Sequence, residues 1–350
     1  MVCFDNGTET IRILNGNAVA NVNANLTGSD DLTTAYTLTE NLKICFIGTK
    51  KAGAFDIDAE FAMHLLQAPL NPNSRPNSDV VFPWLNGKMI AGREPEKWII
   101  SFGDMTKEDA AKYELPFEYV RENIYPERQA NNEERARVKW WQHRRPATEM
   151  REAVAGMKRY IATPRVSKYR LFVWIPSITV PDDGIYVFAR EDDYFFEILH
   201  SKVHELWARG TGTQLREVES GFRYTPTTTF ETFSFPWPPD KEPKSDPRVK
   251  AIAVAARELV QLRDNWLNPA GASEAELTPS GPPAKSAGHG QKRTLTNLYN
   301  QRPTWLDNAH KKLDAAVFVA YGWPVDLSDD EILARLLALN LERAGKKRDD

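Results

Sequence analysis

The stretch from Asp192 to Pro239 constrains this chain more than any other. It reads DDYFFEILHSKVHELWARGTGTQLREVESGFRYTPTTTFETFSFPWPP. Its first half has the period of a helix. Phe195, Phe196, Ile198, Leu199, Val203, Leu206 and Trp207 form one broad apolar face, Asp192 is placed to cap its start, and Gly210 and Gly212 end it. The second half sets Pro226, Pro236, Pro238 and Pro239 among threonines and phenylalanines. Proline fixes φ and removes an N–H, so the end of this run is neither a helix interior nor a central strand. A helix leading into an aromatic, proline-locked exit predicts one subdomain closing against the next.

The chain has 350 residues, enough for two or three modest domains, each with its own core. Hydrophobic residues are 41% and charged residues 27%, the balance of a soluble globular protein, and no apolar run reaches the ~20 residues a membrane helix needs. Met1 is followed by Val2, Cys3, Phe4 and Asp5 with no basic region, so no signal peptide is read, and a cytoplasmic location is expected. Cys3 and Cys45 both sit in apolar, strand-like runs and are expected as buried free thiols. Net charge is −3, so any surface for a polyanion must be local.

Taken in order, VCFD (2–5) and IRIL (11–14) read as strands joined by Asn6-Gly7, a hairpin signal. Residues 15–42 read as an irregular connector and ICFIG (44–48) as a short buried strand. Asp56 or Asp58 then caps a helix whose apolar side holds Phe61, Ala62, Leu65 and Leu66. NPNSRPNSDVVFPWLNG (71–87) is a shaped loop around a short apolar run, WIISFG (98–103) a strand, and Thr106 with Asp109 a weak capping box. Helices are expected over 132–143 and 148–157, followed by three strand-like runs, RYIATP, KYRLFVWIP and GIYVFA. Asp246-Pro247 opens a helix to about Trp266. Residues 268–292 read as a mobile loop, 304–321 as a helix, and Ser328 to Glu331 as the capping box of the last helix.

One segment differs in kind. Residues 116–170 hold 13 Lys and Arg against 7 Asp and Glu, a local excess of positive charge in an acidic chain. Phe117, Tyr119, Tyr125, Trp140, Trp141, Tyr160 and Tyr169 lie among those charges, and His143-Arg144-Arg145-Pro146 forms a basic turn. Trp140 and Trp141 are adjacent, so on a helix they point about 100° apart, and at most one is expected fully in the core.

Several long runs carry a resemblance: FFEILHSKVHELWA with RYTPTTTFETFSFPWP, NPN-RPNSDVV-PW-NG, the WW before a basic turn, RYIATPRVSKYRLFVWIP, LYNQRPTWLDNAHKKLDAAVFVAYGWP and DEILARLLALNLERA. Together they resemble the C-terminal half of the MmeI-like (type IIL) DNA methyltransferases of restriction–modification systems. The resemblance covers nearly the whole chain apart from 268–292 and the last few residues. It implies an α+β chain: the tail of a methyltransferase domain over 1–75, a mixed α/β target-recognition domain over 76–239, and a C-terminal helical region over 240–350. The N-terminal segment would be a remnant of the end of a catalytic domain, and the chain a truncated or split product.

That family transfers a methyl group from S-adenosylmethionine to an adenine amino group. The chemistry needs a glycine-rich turn after a strand and an Asn/Asp-Pro-Pro-Tyr/Phe loop for the flipped base. Gly210-Thr-Gly212 follows a helix instead, and Pro238-Pro239 and Pro282-Pro283 precede Asp240 and Ala284. The nuclease letters Glu242-Pro-Lys244 fall in a proline-rich linker. No catalytic, cofactor-binding or metal-binding residue is therefore assigned, and S-adenosylmethionine is expected in a catalytic domain outside this chain. His200 and His204 share a helix face as zinc ligands do, but without an evident third ligand they are expected to satisfy buried polar contacts at a subdomain interface.

The expected partners are double-stranded DNA and a separately encoded methyltransferase or nuclease chain, with no membrane. Duplex binding needs cations for phosphates and a few side chains for base edges. The residues expected there are Arg144 and Arg145 in the basic turn, Lys158 and Arg159 at the strand entry, Arg165, Lys168 and Arg170 around the next turn, and Arg223. Two alternatives stand beside the binding module: a methyltransferase active by itself, against which the missing motifs argue, and an interaction protein or gene remnant with no DNA role.

Overall fold

The computed structural model describes residues 11–14, 16–19, 22, 30–92, 96–214, 221–271 and 293–346. The strand expected over 2–5, its Asn6-Gly7 turn, Cys3 and all but the first four residues of the loop expected over 268–292 lie outside them. The described chain mixes helices and strands and is helical from Pro247 onward. Strand β1 (Arg12–Leu14) pairs antiparallel with β2 (Asn17–Val19) across a turn that contains Gly16 at φ +84°.

The central sheet has four antiparallel strands in the order β3 (Cys45–Ile47), β11 (Ile185–Phe188), β7 (Arg159–Pro164) and β9 (Val173–Pro176). Successive side chains of a strand point to opposite faces. Tyr160, Ala162, Ile185 and Val187 pack with Ile90, Met150 and Val154 on one face, while Ile161, Tyr186 and Phe188 meet the helices that follow on the other. The sheet packs on both faces, so Tyr160 to Ala162 and Ile185 to Phe188 are apolar at successive positions instead of alternating with charge.

A second sheet runs β10 (Val180–Pro181), β5 (Val81–Leu85), β6 (Lys97–Ile100) and β4 (Asp56–Ile57), with only the β10–β5 pair parallel. It packs on the helices Ala59–Gln67 and Glu114–Asn123. Asp58 is the cap of the former, accepting the Phe61 N–H at 2.8 Å. Strand β10 leads directly into β11, so the turn at 182–184 ties the two sheets together. A small third sheet, β12 (Thr213–Gln214), β13 (Phe222–Arg223) and β8 (Val166–Ser167), extends from the β7 end. Gly221 crosses β8 so closely, at φ +82°, that a Cβ there would lie 2.0 Å from the Ser167 carbonyl oxygen.

Tertiary packing overrides three local expectations. The helix expected over 132–143 is only Glu134–Val138. The chain then leaves helical geometry, with Lys139 at ψ 47°, and this lets Trp140 (6% exposed) and Trp141 (7%) enter one core together, contrary to the helical expectation. The helix expected over 148–157 ends at Ala153. The single helix expected from Asp192 is two, Asp193–His200 and Lys202–Thr211. Ser201 breaks it: its hydroxyl donates to Ile198 O at 2.7 Å and accepts from His204 N, closing one helix and capping the next. The break turns both halves so that Phe195, Phe196, Trp207, Tyr224, Phe230, Phe233 and Phe235 share one interior. The long helices Pro247–Leu267 and Thr304–Tyr321 cover that interior from outside. Asp192, Thr106 and Asp246 cap as their positions predict, and Ser328 and Glu331 form the reciprocal box.

Candidate functional site

Where the two main sheets meet, the backbone builds a concavity of about 680 Å³. Asn86 opens it. Its side-chain oxygen accepts from the N–H groups of Lys88 and Met89 at 2.9 and 3.0 Å, so Lys88 is held on the first turn of a short helix at the rim. The β7–β8 turn forms the opposite wall and carries Arg165 and Lys168. Arg165 is fixed by its backbone, donating to Gly184 O at 2.7 Å and accepting from Tyr224 N at 2.9 Å, while its side-chain Nε is buried with no partner. The Lys168 ammonium and the Tyr169 hydroxyl both donate to Asn300 Oδ1, at 3.2 and 2.9 Å, so the C-terminal helical region steadies that wall.

A second concavity of about 340 Å³ adjoins the first, and Asn86 and Asp182 line both. It holds Lys50, Lys51 and Lys97, paired with Asp183 and Asp56. The 182–184 turn between the cavities is clamped. Asp182 N donates to Leu85 O at 2.8 Å and Gly184 N to Asp182 Oδ1 at 2.9 Å, and a Cβ on Gly48 would strike Asp182 O at 2.1 Å. Burial pushes the Asp182 carboxyl up to about 6, against the hydrogen bond from Gly184.

The eight cations expected at the interface fall in four places. Arg165 and Lys168 line the first concavity, Arg223 pairs in register with Val166 on its wall, and Arg145 stands beside Lys50 and Asp183 of the second. Burial raises the pKa of the Tyr186 hydroxyl, and the charges of Arg165, Arg223 and Arg145 pull it down. Among the described residues, Lys88, Arg165, Lys168 and Arg223 form no ion pair, whereas Arg145 reaches Gly48 O at 3.2 Å and Asp183 at 3.8 Å. Arg144 stands beyond the rim, paired with Glu133 at 3.1 Å. Lys158 and Arg159 sit at the other end of β7, roughly 20 Å from Arg165 at strand rise. Arg159 stacks 3.7 Å from the Trp174 ring centroid and pairs with Asp193 at 2.6 Å, which makes it part of the helical junction.

Arg170 is no surface cation. It is 6% exposed, donates to Thr163 Oγ1, Pro164 O and Phe222 O, and stacks on Phe222 and Tyr224. Burial lowers its pKa to about 10. Arg170 ties the end of β7 to β13 through these bonds. Conversely, Lys88, Lys50, Lys51 and Lys97 join the site without standing in any basic run. The one local signal for them is the Asn86-Gly87 turn at the end of the Pro/Asn-punctuated loop, which sets Lys88 at the rim.

The histidine pair is interior. His200 Nε2 accepts from Phe172 N at 3.2 Å and from Arg263 at 3.0 Å, and His204 bonds Leu199 O at 2.9 Å and the Tyr224 hydroxyl at 3.0 Å. Burial holds His204 down at about 3, so it stays neutral at ordinary pH. Gly210 and Gly212 are spent on packing: a Cβ on the first would meet Leu32, and on the second the carbonyl of Ala208. They end a helix against neighbouring chain and so do not fit the strand-to-helix cradle that S-adenosylmethionine requires. Among the described residues, no group of three His, Cys, Asp or Glu is placed to hold a metal, and no helix is long and apolar enough to cross a membrane.

Two sheets joined over a cationic groove and closed by a helical region define a mixed α/β recognition module. In comparison with known proteins, residues 72–238 match the model of the MmeI target recognition domain. The fold is also that of a solved type IIL restriction–modification enzyme, MmeI, in complex with DNA. The TM-score is 0.67 at 18% identity, over 94% of this chain and 39% of that one. This chain thus spans well under half the length of that enzyme. No curated protein matches it by sequence.

Proposed function

We propose that this chain is the sequence-recognition part of a restriction–modification DNA methyltransferase of the MmeI kind, and that it holds duplex DNA across the groove between its two sheets. The observation that carries the reading is the first concavity. Within a target recognition domain, Lys88, Arg165 and Lys168 converge on one hollow without carboxylate partners. Cations so placed are matched to phosphates, and their contribution falls as salt rises. Arg223 extends the positive edge along β13, and Arg145 adds to it beside the adjoining concavity.

In this reading methyl transfer, adenine specificity and S-adenosylmethionine belong to a catalytic module outside these 350 residues. The chain supplies position and sequence choice. The test is duplex DNA binding at several salt concentrations for the wild type and the Lys88→Ala/Arg165→Ala/Lys168→Ala variant. Loss of three phosphate contacts lowers the slope of log K against log salt by roughly 2–3. A slope that does not change, in a variant that melts normally, overturns the reading.

A further inference from the structure

The two cavities meet at one pair of side chains, and that pair is not cationic. Asn86 and Asp182 line both hollows. Strands β5 and β10 run parallel with Trp84 opposite Val180 and Leu85 opposite Pro181, so the next residues in register are Asn86 and Asp182. The Asp182 N–H bond to Leu85 O continues the ladder and fixes the two as neighbours, about 4.8 Å apart across the strands. Each has one polar atom committed to the backbone. Asn86 uses its oxygen to cap Lys88 and Met89, which leaves its amide nitrogen as a donor. Asp182 uses Oδ1 to hold Gly184 N, which leaves Oδ2 as an acceptor; unlike its neighbour Asp183, it forms no ion pair among the described residues.

A carboxylate at the centre of a cationic groove repels phosphate. Its placement makes sense against a group that donates hydrogen bonds. We propose that Asp182, with Asn86 beside it, reads the major-groove edge of one base pair through an exocyclic amino group, the N6 amine of adenine or the N4 amine of cytosine. Those amines are the donors on that edge, and each has a neighbouring acceptor, N7 of the same adenine or O6 of the paired guanine, for the Asn86 amide. The surrounding lysines and arginines fix register and the pair between them fixes sequence. This assignment rests on the groove being a duplex-binding surface.

Asp182→Asn separates the roles. Asparagine keeps the oxygen that holds Gly184 and exchanges only the free acceptor for a donor, so the turn is retained. The experiment selects bound duplexes from a randomised pool with the full wild-type chain and with D182N, sequences both, and measures the salt slope of each. The expected result is a wild-type preference for an amino-bearing base at one position. In D182N that preference is lost or moved to guanine or thymine, a change of the order of tenfold at that position alone, with the salt slope and melting temperature held. Three results overturn it: D182N binding all sequences more tightly with an unchanged preference, which would make Asp182 a mere repulsive charge; wild-type binding that is salt-dependent without any preference at a position D182N alters, which leaves the duplex-binding reading standing; or no wild-type binding to DNA at any salt, which removes that reading as well.

Discussion

Arg165 and Arg170 stand five residues apart in one basic run and end in opposite environments. Arg165 faces the groove with its guanidinium free of carboxylates, whereas Arg170 is sealed between Phe222 and Tyr224 with three oxygen acceptors. The same contrast separates the two regions they belong to. The groove is a shell of cations on backbone fixed by β-ladders and one clamped turn. The junction is an aromatic interior in which buried arginines are held by fixed partners, Arg170 by carbonyls, Arg263 by His200 and Phe172 O, and Arg190 by Asp192, Asp240 and Glu242. A buried arginine whose terminal nitrogens are held by backbone and hydroxyl oxygens is a structural strut. One whose donors face an open hollow is available to a ligand.

The largest effect expected from this contrast lies in the junction. Phe172 is fully buried, its ring packs against Phe188, His200, His204 and Tyr224, and its backbone is gripped by His200 and Arg263. Phe172→Ala should cost about 3–5 kcal/mol of stability, read as a lowered denaturation midpoint. DNA affinity per folded molecule should not change. A variant that melts normally would mean the junction is not one interior.

The arginine pair supplies the next test. Arg170→Ala removes a buried donor from Pro164 O, Phe222 O and Thr163 Oγ1 and should cost about 1–3 kcal/mol with no change of salt slope. Arg165→Ala should leave stability within about 0.5 kcal/mol and lower the slope by about 1. Denaturation and binding curves on the two variants decide it; exchanged phenotypes would reverse the assignment.

Sequence reasoning reached the junction further than the groove, for a physical reason. The junction is built from contiguous chemistry: Asp192 caps, proline locks the exit, and phenylalanines recur at helical spacing. Even there Ser201 hides a break, because a serine within an apolar period is a cap only once tertiary packing asks for a turn. The groove is assembled from segments far apart in the chain, 49–56, 84–97, 164–168 and 182–184, with a lysine or two from most of them. A charge count over 116–170 finds Arg165 and Lys168 but also gathers Arg170, Arg159 and Lys158, since local density does not say which side of a strand or which end of it a side chain occupies. Trp140 and Trp141 fail in the same way, through an assumed helix that the core itself dissolves.

Glu197 carries the contrast into pH. It is fully buried in the junction, and both its oxygens lack a partner among the described residues. Burial raises its pKa well above the usual carboxylate value; Asp314 and Asp193 push the same way and Arg263 opposes them. The folded state therefore holds a proton that the unfolded state releases once pH passes about 4.5. Stability associated with that proton is complete below this value and is lost as pH rises toward the raised folded one, at up to about 1.4 kcal/mol per unit. Glu197→Gln removes the titration. The variant should match the wild type near pH 4 and exceed it in melting temperature at pH 8. Equal differences at both pH values would show that a partner is met in solution.

The smallest effect tests where the groove ends. Arg144 is half-exposed and paired with Glu133 at 3.1 Å, and exposed pairs of this kind contribute about 0–1 kcal/mol. Arg144→Ala should leave melting nearly unchanged. Its effect on DNA binding should be well below that of Arg165→Ala, because a bound phosphate would have to compete with Glu133 for the same guanidinium. Glu133→Ala sharpens the point: freeing Arg144 should raise affinity at low salt and steepen the salt slope by up to about 1. If instead Arg144→Ala weakens binding as much as Arg165→Ala while Glu133→Ala does nothing, the basic turn belongs to the groove floor, and the boundary between answered and unanswered cations runs one residue further out than the ion pair places it.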